Sequence, residues 1–352
     1  MTNTLIDDLS LSVPVFQAPM AGVSTPAMAA AVSEAGGLGA LGLGAATPEK
    51  ARAAISKTQA LTARPFNVNL FCHAPAHRDT KVEQTWIDRA APLFARFETS
   101  APTSLREIYT SFRENDAMLE VLLETRPAVV SFHFGLPTAK QIEALRTTGA
   151  RLIACATSLE EAQAIEAAGL DAVIAQGWSA GGHRGIFDPG SRDRKLSTEA
   201  LTRELVAKTS LPVIAAGGIM DGADIRTALA DWGAVAAQLG TAFVACPESA
   251  ADDAYRARME AGGETIMTSA ISGRPARCLS NAFTAWGRDA DPAAIPAYPC
   301  AYDLGKALNA AAKAKGEIGF GAQWAGEGVA LARPLPAADL VTTLAKELQV
   351  AG

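Results

Sequence analysis

The segment from Gln176 to Gly185 reads QGWSAGGHRG and sets one imidazole, His183, among glycines. Histidine titrates near neutral pH and can both give and take a proton. Gly181 and Gly182 just before it let the backbone approach a ligand closely or take a positive φ. A surface loop with a chance histidine fits this stretch equally well, so both readings stay open at this point. A second signal lies downstream in Ala215-Ala-Gly-Gly-Ile219 and in Gln238-Leu-Gly-Thr-Ala-Phe243. Each is an apolar run that ends on glycine. Gly217, Gly218 and Gly240 would admit phosphate oxygens to backbone N–H groups, and Thr241 adds a hydroxyl. Turn glycines serving packing alone are the rival reading. Phosphate at this corner with His183 across from it suggests a phosphate-bearing cofactor, its ring edge met by the amides of Asn69 and Gln176. From these residues alone, a flavin and a sugar-phosphate substrate both remain open.

Two motifs match chemistry by letter only. Gly37-Leu-Gly-Ala-Leu-Gly42 has the GxGxxG spacing, but a dinucleotide fingerprint follows a strand and opens a helix, and here the order is reversed. Gly177-Trp-Ser-Ala-Gly181 has the GxSxG spacing of a nucleophile elbow. That elbow needs a helix directly after the serine and a histidine late in the chain. A glycine-rich loop follows instead, and no histidine lies beyond His183, since His73, His77 and His133 all precede it.

The elements that must position these groups alternate from the start. Strands are predicted at 13–18, 38–43, 66–71, 128–134, 152–156, 172–176, 213–216 and 234–239. Helices are predicted from Thr25-Pro26 and Thr47-Pro48, each a capping residue with proline at the first helical position. Others are expected over 138–147, 159–168, 198–208 and 223–231. Eight strand-then-helix units are the count of an α/β protein of the (β/α)8 TIM-barrel type; an open doubly wound sheet is the fallback. The barrel is expected over 1–247, with an insertion or elaborated loop at 72–113. Helices and irregular segments over 248–318 are expected to form a smaller, mainly helical cap that binds substrate. Residues 319–352 should pack back on the barrel through a helix at 340–348.

Composition narrows the classes. The 352 residues are 49% hydrophobic and 19% charged, enough for a large core. A formal charge of −6 argues against nucleic acid or an anionic membrane as partner. The five cysteines are widely spaced with no CxxC pair, which suggests neither a disulfide framework nor a zinc site, and no metal is expected. No basic, then apolar N-terminal pattern marks a signal peptide, and no uncharged run is long enough to span a bilayer. A cytoplasmic location is the expectation, as a monomer or small homo-oligomer.

In order along the chain stand QAPMAGVSTP (17–26), NVNLF (67–71), SFHFG (131–135), AQGWSAGGHRG (175–185), AAGGI (215–219), QLGTAF (238–243), YPCAYDLGKAL (298–308) and QWAGEG (323–328). Together they resemble the nitronate monooxygenases, formerly 2-nitropropane dioxygenases, and most closely their class I, nearly end to end. The resemblance implies a flavoprotein oxidoreductase that binds FMN non-covalently on a barrel. It would oxidise small anionic alkyl nitronates, such as propionate 3-nitronate, with O2 and without NAD(P)H, a detoxifying reaction. By position it implies FMN contacts at Asn69, Gln176, Gly181, Gly182, Gly217, Gly218, Gln238, Leu239, Gly240 and Thr241, with Met20, Ala21 and Gly22 beside the ring. It implies a catalytic His183 and a substrate pocket of His133, Tyr109, Tyr298, Tyr302 and Lys306. One departure stands out: the family usually carries Glu before the Ala-Gly-Gly-His, where this chain has Ser179. Two alternatives remain. The same superfamily holds NAD(P)H-dependent FMN reductases acting on enoyl-acyl carrier protein or quinones, and a flavin-binding protein without turnover is the third reading.

Overall fold

Short apolar runs, several of them ending on glycine, set the strands of this chain. In the computed structural model, which describes residues 4–350, these runs form β1 (Val15–Gln17), β2 (Gly39–Gly42), β3 (Phe66–Phe71), β4 (Val129–His133), β5 (Arg151–Ala156), β6 (Ala172–Gln176), β7 (Val213–Ala216) and β8 (Ala236–Leu239). Every neighbouring pair is parallel, in the order β1-β8-β7-β6-β5-β4-β3-β2. A parallel bridge between Phe16 and Leu38 joins β2 back to β1 and closes the barrel. The strand ends fall within two residues of those expected from the sequence.

The helices start where their caps dictate. Thr25 accepts the Met28 N–H at 3.1 Å, and Pro26 opens helix Pro26–Glu34. Thr47 does the same for helix Pro48–Leu61. Close packing explains Gly39, where a Cβ would meet the Ala29 carbonyl oxygen at 1.9 Å. Inside the barrel Phe16, Leu38, Val129, Ile153, Ile174 and Ile214 fill the lumen, and Leu5 and Leu9 plug it from below. The barrel is thus a packed core, and only its upper rim is free to build a site.

After β8 only the short helix Thr241–Val244 follows. The remaining helical position on the barrel wall is taken by Ala337–Val350. It buries Leu340, Val341 and Leu344 and packs on helices Gly222–Ala230 and Pro26–Glu34.

Two features differ from expectation. Segment 72–113 is not only loop: it contains helix Thr80–Arg96, with Pro92 inside it, and a 3-10 turn at Phe112–Glu114. The amphipathic pattern of that helix was masked by its proline and charges. Segment 248–318 holds helices Asp253–Glu260, Ala282–Trp286 and Cys300–Ala314. It also holds two unexpected strands, β9 (Thr265–Thr268) and β10 (Ala276–Leu279), and β10 pairs antiparallel with Gly182–His183. Such short strands carry no strong propensity of their own, and their pairing comes from tertiary context. All five cysteines are buried and unpaired. Among the described residues no helix is long and apolar enough to cross a membrane, and no His/Cys/Asp/Glu cluster could hold a metal ion.

Candidate active site

A cavity of about 450 Å³ opens over the C-terminal ends of the strands, the usual site face of this architecture. Its two sides are chemically different. One is built from backbone: Gly217 and Gly218, after β7, have φ of 123° and 73°, conformations that side-chain-bearing residues avoid. Ser179 Oγ lies 3.0 Å from Thr198 Oγ1, which donates to the Gly217 carbonyl at 2.8 Å and so fixes this corner. Thr241 accepts the Gly326 N–H at 2.9 Å, tying the loop after β8 to the C-terminal segment. Gln238 Oε1 is buried here and has no hydrogen-bond partner. An orphaned acceptor beside a glycine cradle fits a ligand that brings its own donors and a phosphate.

The other side is built from side chains. His183 Nε2 lies 2.9 Å from Ser272 Oγ. Ser272 O–H is assigned to the Arg274 carbonyl at 3.2 Å, so its oxygen accepts the His183 Nε2–H and leaves Nδ1 as the basic nitrogen. His133 Nε2 donates to the His183 carbonyl at 3.2 Å, which fixes its tautomer too. Around the His183 ring stand Trp324 at 4.8 Å, Tyr298 at 5.6 Å, Phe134 at 5.7 Å and Tyr302 at 6.0 Å between centres. Lys306 Nζ lies 5.4 and 5.3 Å from the ring centres of Tyr109 and Tyr302.

Burial, then the neighbouring His133 and Arg274, lowers the His183 pKa to about 3. Burial first, with Arg274 and Arg184, lowers His133 to about 4. Both imidazoles are neutral at pH 7. Burial pushes the phenols of Tyr109, Tyr298 and Tyr302 up, so they stay protonated and serve as donors. Among the described residues no Asp or Glu lines the cavity, while Lys50 and Lys306 do. In a chain of 37 acids and 31 bases that separation suits a small anion.

The loop carrying His183 is held from below. Arg184, 1% exposed, grips Asp193 with two bonds of 2.9 and 3.1 Å and caps the carbonyls of Gln176 and Gly177. Gln176 lines the cavity, but both ends of its amide hold the loop: Nε2 donates to the His183 carbonyl at 2.9 Å, and Oε1 accepts the Gly185 N–H at 2.7 Å. Its role is therefore to shape the His183 turn. Asn69 likewise turns its amide nitrogen to Ser131.

The residues expected from the sequence converge. Met20, Ala21, Gly22, Asn69, Tyr109, His133, Gln176, Gly181, Gly182, His183, Gly217, Gly218, Gln238, Gly240, Thr241, Tyr298, Tyr302 and Lys306 all line the cavity. Leu239 does not, since its side chain packs in the apolar layer between barrel and helices. Sequence reasoning missed Lys50, Phe134, Trp324 and Ser272. Trp324 sits inside QWAGEG and Phe134 inside SFHFG, so the segments were visible but not the roles; nothing local marked Lys50.

The nitronate monooxygenase family model matches residues 3–347. A nitronate monooxygenase from Paraburkholderia phytofirmans is 58% identical over 99% of this chain and 95% of its own length. One from Pseudomonas aeruginosa is 52% identical over 99% of this chain and 100% of its own. The solved nitroalkane oxidase from Streptomyces ansochromogenes superposes with a TM-score of 0.89 at 41% identity, covering 98% of both chains. FabK from Thermotoga maritima is more distant, with a TM-score of 0.75 at 29% identity over 99% of this chain and 97% of its own. The chain belongs to the nitronate monooxygenase family.

Proposed function

We propose that this chain is an FMN-dependent oxidoreductase that oxidises small alkyl nitronates with O2 and needs no nicotinamide. The observation that carries the reading is the composition of the cavity: neutral His183, three phenols and Lys306 with no carboxylate, facing a glycine corner and an unpaired Gln238 acceptor. The residues present fit a flavin mononucleotide, with Gly217, Gly218, Gly240 and Thr241 at its phosphate and Met20 to Gly22 beside its ring. When bound, the flavin supplies the electron-accepting chemistry and the path to O2. The chain's own groups do the rest. Tyr109, Tyr298, Tyr302 and Lys306 hold the negative nitro oxygens with charge-assisted donors. Nδ1 of His183 takes the α-proton when the substrate arrives as a neutral nitroalkane. Phe134 and Trp324 keep water from the reacting carbon.

A nitronate brings its own electrons, so the decisive test is anaerobic. Mixing with propionate 3-nitronate should bleach the flavin, and air should restore it with oxygen consumed. Rapid bleaching by NADH while nitronate leaves the flavin oxidised would replace this reading with a nicotinamide-dependent reductase. FAD, or no flavin after reconstitution, would reject the cofactor.

A further inference from the structure

Three arginines pack around the His183 loop, and only one lacks an acid. Arg184 is paired with Asp193, and Arg277 reaches Glu327 at 2.9 Å. Arg274 is 3% exposed and, among the described residues, has no carboxylate within ion-pair distance. Its Nη2 donates to the carbonyls of Ile186 and Phe187 at 2.7 and 3.1 Å, and its Nε is buried with no partner. The groups that act on its charge are first the Tyr298 phenol of the cavity and then the carboxylates of Glu161 and Asp188, and both carboxylates are engaged elsewhere. Glu161 accepts from the Phe187 N–H and from Thr157, and Asp188 from Gly190 and Ser191.

The guanidinium lies behind the cavity wall. Its carbon is 4.3 Å from the centre of the Phe134 ring, and Phe134 lines the cavity beside His183. Arg274 follows Ser272, whose hydroxyl touches the His183 imidazole, and the next strand, β10, pairs with His183 through Ala276. One short turn therefore carries both the imidazole's partner and an unneutralised charge. A buried cation is unfavourable unless something compensates it, and in a low-dielectric wall its field reaches farther than at a surface.

We infer that Arg274 sets the anion preference of this cavity from behind its wall, acting through Phe134 and the neighbouring histidines without touching substrate. The inference rests on the proposed nitronate chemistry. It makes Arg274 a positioning residue for charge, adding to Lys50 and Lys306, the two cations that line the cavity among the described residues. Burial lowers the Arg274 pKa to about 10, so it remains charged at pH 6.5. The competing explanation is that the fork merely ties down the Ile186 and Phe187 carbonyls.

Two variants separate these. Arg274→Lys keeps the charge and loses the fork, whereas Arg274→Met keeps much of the packing and loses the charge. Nitrate, a planar anion resembling the nitro end of a nitronate, is titrated by calorimetry into wild type and both variants at pH 6.5, low enough for a lysine buried at this position to keep its proton. The Met variant should bind nitrate about tenfold more weakly, and the Lys variant within about threefold of wild type. The ratio of kcat/KM on nitronate to kcat/KM on the neutral nitroalkane should fall about tenfold in Arg274→Met and be restored in Arg274→Lys. Equal losses in both variants, wild-type nitrate affinity in Arg274→Met, no nitrate binding by wild type, or failure of both to fold by circular dichroism would each overturn the inference. Nitrate binding needs no turnover, so a wild type that leaves nitronate unoxidised rejects the reaction assignment and not this comparison.

Discussion

The two sides of the cavity solve opposite problems. The corner at Gly217, Gly218 and Gly240 presents main chain to its ligand, and what shapes it is the absence of side chains. The wall at His133, His183, Tyr109, Tyr298, Tyr302 and Lys306 presents polar side chains, and burial holds its imidazoles neutral and its phenols protonated. A backbone corner recognises a group shared by many ligands, such as a phosphate, and leaves no atom to adjust. A side-chain wall can change its substrate one residue at a time. Substitutions in the first should therefore act all or none, and those in the second by degree.

The largest effect is expected from Gly218→Asp. The position has φ of 73°, which strains any residue with a side chain, and a Cβ there would lie 2.9 Å from Ser179 Oγ, so the Ser179 side chain must give way as well. The new carboxylate would also repel the phosphate proposed for this corner. The purified variant should lose flavin, with affinity at least about 100-fold weaker by fluorescence titration. A yellow variant with unchanged affinity would mean that the phosphate sits elsewhere.

Next comes His183→Ala. It should keep flavin and lose about 10²- to 10⁴-fold in kcat/KM on a neutral nitroalkane, the range for removal of a general base. Preformed nitronate should lose far less, because its proton is already gone. Equal losses would make His183 a binding group only. Lys306→Met should act more mildly: flavin retained, KM for nitronate up about tenfold, kcat little changed, as for loss of a charge that binds ground and transition state alike.

Much of this was legible in the sequence, and the limits have physical causes. Alternating apolar runs and Thr-Pro caps located the eight strands, because in a packed barrel the local periodicity and the tertiary role coincide. The glycine corner was legible because a positive φ restricts residue type. The hydrogen bonds of Gln176 and of the Asn69 amide nitrogen were not, since an amide at a strand end serves a ligand or its own loop equally well, and the Gly185 and Ser131 partners come from elsewhere in the fold. Ser272 was not legible either. Ser272 lies 89 residues from His183, and the pairing of β10 with Gly182–His183 that unites them has no local signal.

Acid sensitivity tests the side-chain wall as a whole. His73, His133 and His183 have folded pKa values of about 4, 4 and 3, against 6.5 when exposed, chiefly through burial. The unfolded chain thus binds more protons between those limits, and stability must fall as pH drops from about 6.5 toward 4. The apoprotein's melting temperature should decline over that window, and His183→Gln should flatten the decline. A flat profile in the unsubstituted protein would mean that water reaches these rings.

The smallest effect belongs to the backbone corner and separates its shape from its chemistry. Ser179 hydrogen-bonds Thr198, whose hydroxyl donates to the Gly217 carbonyl. The chain of two hydroxyls supports the corner without contributing charge. Ser179→Ala removes the first link and leaves the second, so about 1 kcal/mol of stability should be lost, the usual worth of one hydrogen bond. Flavin affinity should drop no more than about threefold. Thr198→Val, which strips the Gly217 carbonyl of its donor, should cost more in both measures. If Ser179→Ala weakened flavin as much as Thr198→Val does, Ser179 would be meeting the ligand directly, and the corner would no longer be a purely main-chain site.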